Sequence, residues 1–284
     1  MEAGLGACGY ASVLVLGGIF VLLLWQGAKA FREIPLWDFL SSTRWDPTSP
    51  EKAGYGILSL VASTVLTSAG AMCLAVPVGV GMAAYLSEFA GRRVRETLKP
   101  AIEILASVPS VVVGFLGVVV VGPWLARVFG LPNGLNALNG SILLAAMCLP
   151  TVVSLSEDAF RAVPRDYRQA SLALGANPWE TLVRVTLPSA LPGILAAVML
   201  SLGRAIGETM TVLMACGNAP AFPSGFLSAV RTMTATIAIE LGEVPHGTTH
   251  YHALFAVGFA LFVLSFGVNV VADWILHRFQ GRRR

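Results

Sequence analysis

Charged side chains are scarce in this sequence: Asp, Glu, Lys and Arg make up 12% of 284 residues, whereas 55% are apolar. A water-soluble domain carries about 25% charged residues, so the composition excludes an ordinary soluble enzyme. Cysteine is limited to Cys8, Cys73, Cys148 and Cys216, each alone in an apolar stretch. No C-x-x-C pair and no nearby histidine at ligand spacing accompanies them, so they read as small packing residues. The phosphate-cradling pattern G-x-x-x-x-G-K-[ST] is missing, and with it the expectation that this chain hydrolyses ATP. G-x-S-x-G is missing as well, which disfavours a membrane-embedded hydrolase. The surplus of 19 Lys and Arg over 16 Asp and Glu is too small to suggest a nucleic-acid partner.

Long apolar runs are what the sequence has in abundance. A bilayer-crossing helix needs about 20 mostly apolar residues. Six runs qualify: Gly6–Trp25, Ile57–Leu86, Ile102–Phe129, Ser141–Leu155, Pro192–Cys216 and Ala253–Leu276. Pro109 in the third and Pro150 in the fourth are expected to bend or break their helices. Ala28-Lys29-Ala30 resembles a small-residue cleavage site, but no Lys or Arg precedes the first run, so that run is expected to be retained as a span. No repeat, low-complexity tract or flexible linker divides the chain, and one helical bundle is the natural reading. Within it, residues 1–56 form a first span with its outer loop, and 57–284 form a five-helix core with a basic tail. The last outer connection, Gly217–His252, is expected to hold a short helix or re-entrant segment around Phe226–Leu241.

Basic residues gather on the cytoplasmic side of short connections. Arg92, Arg93, Arg95, Lys99, Arg161, Arg165, Arg168, Arg184, Arg278, Arg282, Arg283 and Arg284 fall on one side, twelve in all. Lys29, Arg32, Arg44, Lys52, Arg127 and Arg231 make six on the other. Both termini are therefore expected in the cytoplasm.

The connection at about 161–188 is too polar to span and too patterned to be a passive linker. Tyr167, Ala170, Leu172 and Leu174 give a first helix an imperfect apolar face, and Gly175 suits its C-terminal stop. Asn177-Pro178 then reads as N-cap and first residue of a second helix, which sets Trp179, Leu182 and Val183 on one side before Pro188 ends it. Such a helix–Gly–helix element offers a rigid docking surface; an amphipathic hairpin resting on lipid is the plainer alternative.

In this loop, Gln169-Ala170-Ser171, Gly175, Val185 and Leu187-Pro188 resemble the E-A-A, three residues, G, nine residues, I-x-L-P motif of binding-protein-dependent ABC importer permeases. Gln169 departs from the motif by lacking its acidic charge. Glu103-Ile-Leu-Ala-Ser-Val-Pro-Ser-Val-Val-Val-Gly114 and Leu202-Gly-Arg-Ala-Ile-Gly-Glu-Thr-Met210, with Gly217-Asn218, resemble more specific blocks of the PstC-type phosphate permeases. The Trp45-Asp46 pair adds to the likeness. The resemblance implies an all-α membrane protein, a six-transmembrane-helix bundle of the type I (MetI-like) importer kind with a cytoplasmic coupling helix. It implies a bacterial inner membrane, a second PstA-like permease, a PstB-like ATPase dimer that carries ATP and magnesium, and an external PstS-like phosphate-binding protein. No cofactor is expected in this chain itself. A permease for sulfate or molybdate, or a gradient-driven secondary transporter, are the alternatives.

Arg204 and Glu208 fall inside the fifth run, four residues apart and therefore on one face if the helix is continuous. Charges at such depth are costly and normally face the protein interior or water. The pair reads either as a structural ion pair that lets the helix insert, or as part of an anion route in which the arginine offers forked donors to phosphate oxygens. Gly203 and Gly207 form a small-x-x-x-small pattern suited to close helix packing. Glu88, Glu103, Glu157 and Asp158 read as solvated boundary charges. His246, His250 and His252 have spacings open to a divalent metal but lack an evident acidic or fourth ligand.

Overall fold

The computed structural model describes residues 2–50 and 53–281. Lys52, Arg282, Arg283 and Arg284 of the charge pattern lie outside the described residues, as do the side chains of Cys8 and Arg278. Among the described residues, six segments are long and apolar enough to cross a membrane: Tyr10–Ala30, Leu58–Phe89, Ser110–Phe129, Ala137–Arg161, Pro178–Gly207 and Thr249–Val271. The elements that compose and connect them run in chain order. They are α1 (Glu2–Ala30), α2 (Leu36–Ser41), β1 (Trp45–Asp46), β2 (Gly54–Tyr55), α3 (Leu58–Ala84), α4 (Arg92–Ala106) and α5 (Ser110–Leu116). The second half holds α6 (Gly122–Phe129), α7 (Ala137–Arg161), α8 (Arg165–Ala173), α9 (Pro178–Thr181), α10 (Leu187–Gly207), α11 (Met210–Ala215), α12 (Met233–Glu240) and α13 (Thr249–Gly281).

Helices α3 and α7 form the centre of the bundle, and their crossing is built from small and hydroxyl residues. Ser63, Thr64 and Thr67 return their hydroxyl protons to carbonyls of the preceding turn at 2.7–2.8 Å, so no polar group of this trio is stranded in an apolar surround. Ser141 Oγ donates across the crossing to Thr67 O at 3.1 Å. A β-carbon on Gly70 would lie 2.5 Å from that same Ser141 Oγ, which is why this turn of α3 carries no side chain. The first span is peripheral: α1 packs along α13, and most of its apolar surface faces outward, as suits a helix bathed in lipid.

Three π-turns interrupt the spans, at 85–89, 117–121 and 182–186. Each widens the helix and frees a backbone group. At the second, Asn139 of α7 donates from Nδ2 to Gly117 O at 2.9 Å, which also accepts from the Gly122 amide, and to Gly134 O at 3.1 Å in the connection before α7.

Four boundaries differ from the sequence reading. Residues 102–106 belong to α4, an amphipathic helix with no buried residue, and the third span starts only after Pro109 breaks the chain. The fourth span is a full-length helix, because Pro150 is accommodated inside α7. Pro188 does not end the second loop helix. The π-turn at 182–186 precedes it and relieves the clash with the carbonyl one turn back, so α9 runs through Pro188 and Pro192 into α10 as one span. That span stops at Gly207, not at Cys216. The connection before α13 does contain a short helix, α12.

A second core joins the first 56 residues to the rest: Ala30, Ile34, Phe39 and Trp45 pack with Ile57, Leu60, Met233, Leu254 and Val257.

Candidate functional site

The loop between the fourth and fifth spans forms the helix–Gly–helix element that its sequence suggests. Helix α8 ends at Ala173, Leu174 caps it, and Gly175 follows with φ +87°, a left-handed backbone that glycine adopts without a β-carbon clash. Asn177 Oδ1 then accepts from the Glu180 amide at 2.8 Å, and Glu180 Oε2 accepts from the Asn177 amide at 2.9 Å. This reciprocal capping box, with Pro178 in the first turn, defines where α9 begins. Ser171 and Thr181 share a hydrogen bond at 2.9 Å, which ties α8 to α9 across the turn.

Around that hinge, Gln169, Ala170, Gly175 and Pro188 are exposed, Val185 and Leu187 are half-buried, and Leu187 packs on the core that includes Ala83, Phe160 and Ile194. Leu174 is 90% exposed, and Tyr167, Leu172 and Trp179 stand out beside it. Together they make an exposed apolar patch at the tip of an otherwise polar loop. Leu182 departs from the expected face: it is buried, whereas Trp179 and Val183 point outward.

The Arg204–Glu208 pair is not arranged as its spacing suggests. Helix α10 ends at Gly207, and Glu208 is extended, with φ −69° and ψ 134°. The two side chains therefore do not share a continuous helical face, and no ion pair links them among the described residues. Glu208 instead serves the next element. Its carboxylate accepts from the Thr211 amide at 3.4 Å, and its carbonyl accepts from Thr234 Oγ1 at 2.8 Å, which ties the break to α12. Thr211 in turn donates to Ser110 O at 3.1 Å, at the start of the third span. The break is a junction of three elements.

Arg204 is exposed on α10, and a β-carbon added at Gly203 or Gly207 would meet no atom within 4 Å. Among the described residues, nothing lies against the β-carbon positions of this small-residue pair. A charged group on a bare, membrane-depth face is costly unless water or protein covers it.

Two ionic clusters were not evident in the sequence. Glu240 at the end of α12 accepts from Trp45 Nε1 at 3.1 Å, from Arg231 Nη1 at 2.9 Å, and faces His250 Nε2 at 2.8 Å. It joins β1, the connection before α12 and the start of α13. His250 is thus engaged by a carboxylate, His246 packs edge-on to Tyr251, and no group of three potential metal ligands occurs among the described residues. At the opposite end, Glu157 is 1% exposed and meets Arg161 at 2.6 Å, Lys99 at 3.2 Å and Arg95 at 3.5 Å. Glu88 pairs with Arg168 at 2.8 Å. Both acids are structural counter-charges at the ends of α3 and α7, not the solvated boundary charges their positions suggest. The i,i+4 spacing of Glu157 and Arg161 was the one signal available in the sequence.

A six-span bundle with a capped helix–Gly–helix loop and an interrupted fifth span is the architecture of an ABC importer permease of the MetI-like kind. Solved structures support that class. A bacterial ABC transporter involved in alginate import matches with TM-score 0.64 at 14% identity, covering 98% of this chain and 97% of that one. The MetNI methionine ABC transporter matches with TM-score 0.59 at 21% identity, covering 79% and 94%.

The family described as "Binding-protein-dependent transport system inner membrane component" matches residues 75–284, and the chain belongs to it. Within that family it falls with the PstC-type permeases. The phosphate transport system permease protein PstC of Mesorhizobium japonicum is 33% identical, covering 95% of this chain and 87% of that protein. The protein named PstC 2 of Mycobacterium tuberculosis is 35% identical, covering 94% and 87%. YqgH of Bacillus subtilis, a probable ABC transporter permease, is 32% identical, covering 92% and 84%. These relatives are named as permeases, not as enzymes.

Proposed function

We propose that this chain forms half of the membrane pathway of an ATP-driven importer of inorganic phosphate. A second, PstA-like permease supplies the other half, a PstB-like ATPase dimer supplies the energy, and a PstS-like protein delivers phosphate from outside. The observation that carries this reading is likeness to PstC proteins along 94–95% of the chain, with the Leu202–Met210 block at the interruption of the fifth span.

The geometry supports a division of labour. The exposed α8–α9 element, with Gln169, Ala170, Ser171, Gly175, Val185, Leu187 and Pro188, suits an ATPase cleft. The rigid run from α9 into α10 carries any displacement of that element directly to Arg204. Arg204 lies on the uncovered face that a second permease would complete, so its guanidinium would border a route between the two halves. There its forked donors lower the cost of a partly dehydrated oxyanion. Glu208 acts by holding the helix break against α11 and α12, not by neutralising Arg204. The basic end of the bundle faces the cytoplasm, with both termini on that side.

Phosphate uptake in cells expressing Arg204→Gln at the normal level tests the route. Uptake falls severely if Arg204 borders the path; uptake equal to that of the unmodified chain removes it from the route.

A further inference from the structure

A pocket of about 590 Å³ opens at the basic end of the bundle, lined by Arg95, Arg161, Arg165 and Arg168 together with Glu88 and Gln169. It is separate from the Arg204 face and is assembled from four elements: the turn after α3, then α4, the end of α7, and α8. Its charge is only half answered from within. Glu88 meets Arg168, and the buried Glu157 meets Arg161 and Arg95, so two carboxylates serve four guanidiniums at the pocket while Glu157 also serves Lys99.

The donors are partly used within the chain: Arg168 gives Nη2 to Phe160 O at 2.7 Å and to Glu88 at 2.8 Å, and Nη1 to Val163 O at 3.4 Å. Arg95 spends Nε and Nη2 on the carbonyls of Leu86 and Ser87, which close the end of the second span. Arg161 engages Glu157 through Nη2. Arg168 Nε is shielded from solvent and has no acceptor among the described residues. Arg165, in the first turn of α8, makes no hydrogen bond or ion pair among them. A carboxylate would balance one of the two surplus charges. A phosphate group in its doubly charged form balances both, and its oxygens accept from several forked guanidiniums at once.

We propose that this pocket is a binding site for a phosphate-type oxyanion, supplied either as free inorganic phosphate or as the headgroup of an anionic lipid. Gln169 stands on its rim, so an occupant bridges the ends of α3 and α7 to the first helix of the exposed loop. The proposal does not depend on the direction of transport or on the role of Arg204.

The test uses the full chain in nanodiscs of zwitterionic lipid, titrated with inorganic phosphate by calorimetry at fixed ionic strength. Saturable binding is expected, weakened about tenfold by Arg165→Gln through loss of a charge-assisted contact. Arg165→Lys retains part of it, and Arg127→Gln, which removes an exposed charge at the end of α6 outside the pocket, leaves it unchanged. In a second arm, phosphatidic acid is added to the nanodiscs. If it abolishes the phosphate heat and is retained on the chain in native mass spectra only when Arg165 is intact, the headgroup is the occupant; if the heat persists, the free ion is. The proposal is overturned if neither ligand shows binding sensitive to Arg165→Gln, or if Arg127→Gln weakens phosphate binding equally. Normal uptake by the Arg204 variant would refute the route while leaving this pocket standing.

Discussion

Replacing Glu240 puts the least expected part of the fold under strain. Its carboxylate is the meeting point of Trp45, Arg231 and His250, and the Glu240, Arg231 and His250 side chains are 15%, 18% and 14% exposed. Glu240→Gln keeps one acceptor oxygen but removes the charge that Arg231 faces. A hydrogen bond to a charged group contributes about 1.5–3 kcal/mol, and the residual exposure of this cluster argues for the lower half of that range. Glu240→Ala strands the indole N–H and leaves the Arg231 guanidinium with only its Nε bond to Asn218 O at 3.0 Å, and approaches the roughly 3–5 kcal/mol cost of breaking a buried pair. At about 2–4 °C per kcal/mol for a chain of this size, the glutamine variant should melt roughly 3–8 °C below the parent and the alanine variant lower still. Thermal unfolding of the purified chain in nanodiscs, followed by tryptophan fluorescence, reads this directly. The cycle with Arg231→Gln separates the pair from its surroundings: a coupling of about 0.5–3 kcal/mol is expected. Additive effects, or a glutamine variant that melts with the parent, would refute the claim that Glu240 ties β1 to α12 and α13.

Gly70→Ala should destabilise the bundle by about 1–3 kcal/mol, since its β-carbon would fall 2.5 Å from Ser141 Oγ and 2.6 Å from Phe226 Cε1; Gly81→Ala, which meets nothing within 4 Å, is the control in the same melting assay. Gly175→Val forces a branched residue into φ +87° and should cost about 1–2 kcal/mol locally, while Asn177→Ala removes the capping box for about 1 kcal/mol. Faster proteolysis within 165–181 checks both. The Tyr55 hydroxyl is pushed above its ordinary value of 10.0 by burial first and by the Glu33 carboxylate second. Its neutral form is therefore favoured by folding: the contribution to stability is complete below pH 10 and is lost as pH rises through the folded value. Ultraviolet difference titration against Tyr55→Phe should show this, with Glu33→Gln moving the midpoint part of the way back.

The number of spans was legible because uninterrupted apolar runs admit few other readings, and the loop was legible because Gly175 and Asn177-Pro178 act locally. The break after Gly207 was not, since Arg204-Ala-Ile-Gly-Glu208 carries no proline and has good helical spacing. What ends that helix is tertiary: the Glu208 carbonyl is taken by Thr234, 26 residues away. The path through Pro188 was missed for a related reason, because a π-turn upstream absorbs the clash that normally stops a helix. The Trp45–Glu240 contact spans 195 residues and leaves no periodic trace in the sequence. Burial of Glu157 depends on Arg95 and Lys99 arriving from α4, which its own neighbours do not reveal.

The central claim is that Arg204, on the uncovered face of a helix driven from the α8–α9 loop, borders a phosphate route. The most direct measurement is phosphate accumulation in proteoliposomes that contain this chain with a PstA-like permease, a PstB-like ATPase and a PstS-like phosphate-binding protein. Accumulation should require ATP and should fall severely with Arg204→Gln while ATP hydrolysis continues. Accumulation that proceeds without ATP, or that is undiminished by the substitution, would contradict the account.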